Sequence, residues 1–223
     1  MKEVSCPSCS GVVEVNEDQV LVNCPFCRNQ FSVIKESGDF FVDNGFLIKY
    51  NGGKSEVEVP FGVKSISPVA FQDNTITKIV LPEGIEHWAF AGNNSLETII
   101  LPDSMENIPF SAFMSCVSLK SILLPKNIKN IGERAFEDCI KLSSIEIPPM
   151  VEIVNSNVFM GCESLETITC YENTKFTGDD FFCESLSSIN VLDSETGELI
   201  STKRVVDSED DDTKVIEDDG MMI

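Results

Sequence analysis

Apolar residues recur along most of the chain in a pattern that repeats every 23 residues in its regular part. Each unit contains the motif Leu-x-x-Ile-x-Leu or a close variant, and a proline follows most copies. Alternate apolar positions predict a half-buried strand, and proline ends it because proline has no N–H to donate to a neighbouring strand. The copies are Ile76/Ile79/Leu81, Leu96/Ile99/Leu101, Leu119/Ile122/Leu124, Leu142/Ile145/Ile147, Leu165/Ile168/Cys170 and Leu186/Ile189/Val191, and Val57 and Val59 begin the series.

An aromatic residue follows each predicted strand except the last. Phe113, Phe136, Phe159 and Phe182 lie 23 residues apart, and a small side chain precedes most of these rings. A fixed period of this length indicates a solenoid, in which each turn buries its apolar face against the next turn. We therefore predict that the rings fill the interior of a repeat solenoid.

Cysteine recurs at one position of the repeat. Cys116, Cys139 and Cys162 each stand three residues after a ring, and Cys170 takes the place of a strand leucine. A free cysteine packs like a small buried apolar residue. We interpret these four residues as part of the core and not as metal ligands or redox groups.

Residues 39–50 precede the repeats and contain Asn44-Gly45 between two apolar runs. This pair is a strong signal for a tight β-hairpin. The first turn of a solenoid has no neighbour on one side, so its core needs a cover. We predict that residues 39–50 form an amino-terminal capping hairpin.

The strand motif also predicts which side chains leave the core. Side chains alternate across a strand, so the residue before the last apolar position of each motif faces solvent. Val80, Ile100 and Leu123 hold this position in three successive units, and later units have polar residues there. Because contiguous exposed apolar surface marks interaction sites, we predict that these three residues bind a partner protein. The alternative is that the amino-terminal segment or the carboxyl-terminal tail covers them.

One unit is three residues shorter than the others between its proline and its ring. The chain's only histidine and tryptophan, His87 and Trp88, fall in this shortened stretch. One interpretation is a tightened turn in which Trp88 covers the gap. The other is that His87 and Trp88 contact a ligand or partner, since irregular loops often carry function. A catalytic histidine is not indicated, because no nucleophile motif accompanies it.

The first segment contains two Cys-x-x-Cys motifs, Cys6/Cys9 and Cys24/Cys27, with short strand-like runs at Val12–Val15, 19–22 and 30–34. Two such motifs supply the four thiolates of a closed, tetrahedral structural zinc site. Residues 1–36 resemble the zinc-ribbon family, which implies a structural Zn²⁺ held by these four cysteines. Two other interpretations remain: a thioredoxin-like redox motif, and four cysteines without metal in a segment too small for its own core.

Charge narrows the function further. The net charge is −21 and acidic residues outnumber basic ones in every part of the chain, which disfavours binding to nucleic acid or anionic membranes. Residues 207–212 and 217–219 are so acidic that we predict a disordered tail, which either keeps the protein soluble or docks a basic partner. The start of the chain has no apolar signal-peptide core and no stretch is long enough to span a membrane. The number of cysteines is odd, which does not suit a framework of disulfide pairs. Together these features indicate a reducing, cytoplasmic location.

Residues 46–192 resemble the BspA-like leucine-rich repeat family, whose unit reads Leu-x-x-Ile-x-Leu-Pro followed by Ile-x-x-Ala-Phe-x-x-Cys. The resemblance implies a curved solenoid with a parallel sheet on one face and short helical or irregular turns on the other. We therefore expect three parts: a zinc ribbon (1–36), a capped solenoid (37–193), and a cap remnant with an acidic tail (194–223).

The expected function is a non-enzymatic scaffold for protein–protein interaction. No phosphate-binding glycine loop, His-Glu metal helix or nucleophile elbow is present in the sequence. The alternative function is a nucleic-acid or transcription-associated role that acts through the zinc ribbon.

Overall fold

The computed structural model describes residues 2–5, 11–15, 21–28, 30–32, 39–72, 75–177, 185–207 and 214–218. The elements in this part of the chain are short β-strands and a single 3₁₀ turn (Ser156–Phe159). The strands are β1 (Lys2–Ser5), β2 (Val12–Val15), β3 (Leu21–Asn23), β4 (Gln30–Ser32), β5 (Phe40–Asp43), β6 (Phe46–Tyr50), β7 (Glu56–Glu58), β8 (Ser65–Ile66), β9 (Lys78–Val80), β10 (Thr98–Ile100), β11 (Asn107–Ile108), β12 (Asn130–Ile131), β13 (Ser144–Glu146), β14 (Ile153–Asn155), β15 (Thr167–Tyr171), β16 (Lys175–Thr177), β17 (Ser188–Leu192), β18 (Leu199–Asp207) and β19 (Lys214–Asp218).

The strands with the leucine motif form the main sheet of a solenoid. β7, β9 and β10 pair in parallel, and so do β13, β15 and β17. The registers place equivalent residues of successive units side by side, so that Val57 lies beside Ile79 and Ile79 beside Ile99. The second residue of each of these strands is therefore buried and its two neighbours face outward, as the alternation predicts.

The main sheet is interrupted at the unit of residues 119–124. In the described part of the chain this segment has no strand pairing, and it lies between the three-stranded and the five-stranded portions of the sheet. Its side chains keep the predicted orientation nevertheless: Ile122 and Leu124 are buried and Leu123 is exposed. The sequence predicts a strand here, so the prediction is right for burial and wrong for main-chain pairing.

A second set of short parallel strands lies on another side of the solenoid. β6 pairs with β8, β11 with β12 and β14 with β16, and an isolated bridge joins Ser65 to His87. We expected only helical or irregular turns away from the main sheet. No helix in the described residues is long and apolar enough to span a membrane.

The core is a stack of aromatic rings between the two sets of strands. Phe90, Phe113, Phe136 and Phe159, which we call the phenylalanine ladder, are almost entirely buried, and their ring planes differ by only 10–12° between neighbours. Centroid separations of 5.4–6.1 Å place successive rings in contact. Each turn thus repeats the packing of the one before, as a fixed period requires. The fourth predicted ring, Phe182, lies outside the described residues.

The amino-terminal cap agrees with the prediction. β5 and β6 form an antiparallel hairpin whose turn, Asn44-Gly45, has positive φ at both residues (47° and 79°). Positive φ at both central positions is the geometry for which Asn-Gly is favoured. The rings of Phe40 and Tyr50 lie 4.9 Å apart, and Tyr50 extends the aromatic stack towards the repeats.

The carboxyl-terminal end is more ordered than the sequence predicts. β18 pairs antiparallel with β17, and β19 pairs antiparallel with β18. The prediction of disorder is wrong for the Glu217-Asp218 part of the tail, which lies in β19. In the register of this pair, Glu217 is opposite Arg204 and Asp218 is opposite Lys203. Residues 208–213 and 219–223 lie outside the described residues, so the prediction of disorder is not tested there.

The first segment forms two hairpins. We expected residues 12–15 to pair with 19–22 across a polar turn. Instead β2 pairs with the preceding β1, and β3 pairs with the following β4. Each Cys-x-x-Cys motif consequently falls between the two strands of its own hairpin.

Candidate interaction surface and metal centre

Val80, Ile100 and Leu123, which we call the strip, occupy equivalent positions in three successive units. Val80 and Ile100 lie on the outer face of the main sheet, and Leu123 lies in the segment that interrupts it. The register places Val80 beside Ile100, and Leu123 follows one unit later. Leu123 is 80% exposed and Ile100 47%, whereas Val80 is half-buried. Their neighbours Ile79, Ile99 and Ile122 point into the core. The strip is therefore apolar surface that the described part of the chain leaves open.

Carboxylates stand at both ends of the strip. Glu58 lies beside Val80 in the register, and Glu146 occupies the same position one unit after Leu123. Both are exposed. The Tyr171 hydroxyl donates a 3.2 Å hydrogen bond to Glu146, and burial and this carboxylate raise the pKa of Tyr171. The strand motif predicted that Glu146 is exposed. The same reasoning identifies Glu58, because it directly precedes Val59, the last apolar position of the first unit, but Glu58 was overlooked.

A second outward row runs beside the strip. It consists of Lys78, Thr98, Ser121, Ser144 and Thr167. The Lys78 ammonium lies 3.2 Å from the carboxylate of Glu56, so its charge is compensated within the sheet. The hydroxyls of Thr98, Ser121 and Ser144 are on exposed residues and can form hydrogen bonds to a bound chain.

His87 and Trp88 point to opposite sides of the chain. Trp88 is only 5% exposed, and its ring lies 5.6 Å from that of Phe90 and 5.3 Å from that of Phe113. It occupies the buried position that Ile108 and Ile131 hold in later units. The prediction that Trp88 contacts a partner is therefore wrong, because its ring is in the core. His87 is exposed and remains available for contact.

Cys116, Cys139 and Cys162, which we call the cysteine column, lie in the core as predicted. Each thiol donates a hydrogen bond to the carbonyl oxygen of the phenylalanine one turn earlier, at S–O distances of 3.0–3.3 Å. Burial raises the pKa of Cys116 to about 12 and also raises that of Cys139. Cys170 is buried too, and its pKa is raised to about 11. A thiol with so high a pKa is poorly suited to redox chemistry.

The described half of the predicted metal centre has the form of a tight turn. Cys24 and Cys27 follow β3, and the backbone N–H of Arg28 donates a 2.9 Å hydrogen bond to the carbonyl of Cys24. Arg28 has a φ of 63°, which turns the chain sharply after Cys27. Cys6 and Cys9 lie outside the described residues. Within the described part, no three His, Cys, Asp or Glu side chains are grouped as metal ligands.

Comparison with known protein families identifies the repeats. Residues 83–199 match six copies of the BspA type leucine-rich repeat region. The chain belongs to this family. The matched range begins just before the short turn of His87 and ends at the start of β18. It therefore contains Ile100 and Leu123 of the strip and the whole cysteine column.

Solved leucine-rich repeat structures show the same fold. A leucine-rich repeat protein of T. pallidum is 24% identical with a TM-score of 0.54, and the pneumococcal vaccine antigen PcpA is 28% identical with a TM-score of 0.56. A leucine-rich cell surface protein of Faecalibacterium prausnitzii is 22% identical with a TM-score of 0.52. The matches cover 65%, 69% and 78% of this chain, respectively.

The chain corresponds to only part of some of these proteins. The match covers 72% of the T. pallidum protein, 40% of PcpA and 57% of the F. prausnitzii protein. No curated protein sequence matches the chain. The three solved structures show that the chain shares their solenoid fold.

Proposed function

We propose that this BspA type chain is a non-enzymatic protein-interaction scaffold that binds a partner polypeptide through the strip. The observation that carries the proposal is the 80% exposure of Leu123 on a sheet face whose later units carry polar residues. An exposed leucine lacks most of the stabilisation of about 1.5–3 kcal/mol that full burial of its side chain would supply. A partner that covers Leu123 and Ile100 recovers this free energy.

The charges around the strip define the kind of partner. Glu58 and Glu146 flank the strip, and the nearest lysine in the sheet, Lys78, is already paired with Glu56. The chain as a whole carries a net charge of −21. The complementary ligand is an extended polypeptide segment with aliphatic side chains between basic residues. No observation favours nucleic acid, because Lys64, Lys120 and Lys129 also lie within 4 Å of glutamates.

A matched pair of synthetic peptides tests this proposal. One carries alternating leucine and serine between flanking arginines, and the other has the arginines replaced by glutamates. We expect the basic peptide to bind wild-type protein and to lose about tenfold or more in affinity for the Val80→Ser, Ile100→Ser, Leu123→Ser variant. Ile153→Ser is the control, since Ile153 is 55% exposed on the second set of strands.

Two results would contradict the proposal. One is equal binding of the basic peptide to the triple variant and to wild type. The other is equal binding of the basic and acidic peptides to wild type. Thermal unfolding of each variant verifies that the solenoid remains folded, and a peptide that passes both tests serves as a competitor for identifying the natural partner.

For the first segment we propose a structural Zn²⁺ with Cys6, Cys9, Cys24 and Cys27 as ligands. Its support is that each Cys-x-x-Cys motif lies between the strands of one hairpin, and that Cys24 is only 1% exposed in its tight turn. Four thiolates form a closed site whose metal ties two hairpins together and leaves no position for substrate. This arrangement compensates for a segment too small to bury a sufficient core.

Metal analysis of purified protein tests the zinc proposal. We expect one zinc per chain, loss of that zinc in Cys24→Ser, and full retention in Cys170→Ser. Wild-type protein with reduced thiols and far less than one zinc would contradict it. Thiolate ligands also fit the cytoplasmic location that the cysteine pattern predicts, and cell fractionation of the native protein tests that location.

A further inference from the structure

The turn that contains Trp88 lacks a segment that the other turns have. In the other turns the ring lies five positions after the buried residue of the second strand, as Phe113 does after Ile108 and Phe136 after Ile131. Phe90 lies only two positions after Trp88. The parallel bridge from Ser65 to His87 makes Trp88 the equivalent of Ile66, which lies five residues before Phe71. The three missing residues would stand between Trp88 and Ala89.

The missing segment interrupts a row of main-chain hydrogen bonds that joins successive turns. In this row the N–H of each ring residue donates to a carbonyl of the next turn. The acceptor is the residue directly before the ring residue of that turn. The bonds observed are Tyr50 to Ala70, Phe90 to Ala112, Phe113 to Ala135 and Phe136 to Val158, with N–O distances of 2.6–3.0 Å. Within the described residues, no such bond joins Phe71 to Ala89. Phe71 is only 3% exposed, so its N–H needs a partner.

The side chains show the same interruption. Each thiol of the cysteine column bonds to the carbonyl of the ring residue one turn earlier. Asn93 occupies the equivalent position in the short turn, and its amide bonds instead to Phe90 of its own turn, at 2.6 Å. The ring planes of Phe71 and Phe90 differ by 31°, against 10–12° along the phenylalanine ladder. The turns of Phe71 and Phe90 are therefore less closely joined than later ones.

Exposed apolar residues flank the short turn on both sides. Val69, 55% exposed, belongs to the preceding turn, and Phe110, 63% exposed, belongs to the following turn. We call the site formed by Val69, Ala89 and Phe110 the slot. Its two sides are two turns apart, roughly 10 Å at the usual spacing between strands. That width admits one extended chain.

The main chain on the far side of the slot has an open acceptor. Between the next two turns, Ser111 N–H donates to the carbonyl of Glu133 at 3.0 Å. The equivalent donor to the Phe110 carbonyl would belong to the missing segment, and within the described residues that carbonyl accepts no hydrogen bond. Gly132 packs against the Phe110 backbone from the other side, where a Cβ would lie only 2.5 Å from the Phe110 nitrogen.

We propose that the slot binds an extended polypeptide segment of a partner protein, which takes the place of the missing residues. Its N–H donates to the Phe110 carbonyl, and an apolar side chain packs against Val69 and Phe110. Such a ligand restores the main-chain pairing that continues through the later turns, as added strands do at open sheet edges. The slot is separate from the strip. It lies in the stretch between the second strand and the ring, whereas the strip lies along the main sheet.

Filling the slot covalently tests the proposal. We design a variant in which Gly132-Glu133-Arg134 is copied between Trp88 and Ala89, which gives the short turn the length of its neighbour. A phage-displayed library of random short peptides is selected against wild-type protein. We expect one class of enriched peptides to bind wild type and the strip triple variant equally, and to lose at least about tenfold in affinity for the insertion variant. Peptides that bind the strip form a separate class, which loses affinity for the triple variant and keeps it for the insertion variant.

Two further measurements keep the test decisive. Val69→Ser and Phe110→Ser change exposed side chains, so they replace the insertion variant if that variant fails to fold, and each should weaken the same peptides several-fold. Hydrogen exchange at the Phe71 and Ala89 amides should slow when a peptide binds. Failure to enrich any peptide, or enrichment only of peptides that bind the filled or serine variants as well as wild type, would overturn the proposal.

Discussion

The thiol of Cys139 donates a hydrogen bond to the carbonyl oxygen of Phe113, 26 residues earlier, with 3.3 Å between sulfur and oxygen. The same carbonyl accepts the N–H of Cys116 at 3.0 Å. One cysteine thus links two successive turns through the ring residue that stacks in the core. The repetition at Cys116 and Cys162 makes the cysteine column a structural connection between turns.

Removal of this thiol should weaken the contact between neighbouring turns. We expect Cys139→Ala to lower the free energy of unfolding by about 1–2 kcal/mol, because it removes a buried donor and leaves a small void. Cys139→Ser keeps a donor towards the Phe113 carbonyl and should be less destabilising than alanine. Urea unfolding of both variants measures the difference, with the exposed Ser143→Ala as control. An alanine variant as stable as the serine variant would show that the thiol hydrogen bond contributes nothing.

The buried thiols should resist alkylation while the protein is folded. The thiolate is the reactive form, and burial raises the pKa of Cys116 to about 12 and that of Cys170 to about 11, so the thiolate fraction is very small at neutral pH. We expect mass spectrometry after iodoacetamide treatment to show these two residues unmodified in native protein and fully modified in urea. Rapid modification of Cys116 in native protein would contradict its position in the core.

The ion pair between Glu97 and Lys120 should make a small, pH-dependent contribution to stability. Their charged atoms lie 2.7 Å apart, and the hydrogen bond and charge of Lys120 lower the pKa of Glu97. A carboxylate with a lowered folded-state pKa stabilises the protein above its unfolded pKa, and this effect is lost as the pH falls through the folded-state value. Thermal midpoints of wild type and Glu97→Gln should therefore differ slightly at neutral pH and converge in acid.

Salt provides the second check on this pair, because both side chains are partly exposed to solvent. Added salt should reduce the difference between wild type and Glu97→Gln at neutral pH. A difference that persists unchanged in acid and in high salt would mean that Glu97 stabilises the chain by something other than its charge.

The strand motif was sufficient to predict the direction of individual side chains. Leu123 and Ile100 were expected outside, and Ile122 and Ile99 inside, because the alternation of a strand depends only on neighbouring residues. The same motif did not predict that the main sheet is interrupted at residues 119–124. Pairing depends on the relative placement of three successive turns, and a local pattern contains no information about it.

The short turn shows the other limit of the sequence pattern. Its length indicated that three residues were missing, but alignment to the proline left open where the gap falls. The bridge from Ser65 to His87 places Trp88 at the position that Ile66 holds one turn earlier, which puts the gap after Trp88. The tryptophan ring is buried in the core. Val69 and Phe110 became candidates only then, because their significance depends on lying on either side of that gap. The pairing of β19 with β18 was missed because the acidic composition of the tail contains no information about strand pairing.

The close stacking of turns makes one glycine sensitive to a single added methyl group. A Cβ on Gly132 would lie 2.5 Å from the nitrogen of Phe110 and 2.6 Å from the carbonyl carbon of Pro109, and both are backbone atoms that cannot rotate away. We expect Gly132→Ala to lower the free energy of unfolding by about 1–3 kcal/mol, as overpacking does. Gly53→Ala is the matched control, since a Cβ there would meet nothing within 4 Å. Urea unfolding distinguishes the two, and equal stability of both variants would mean that the turns can separate at this point without cost.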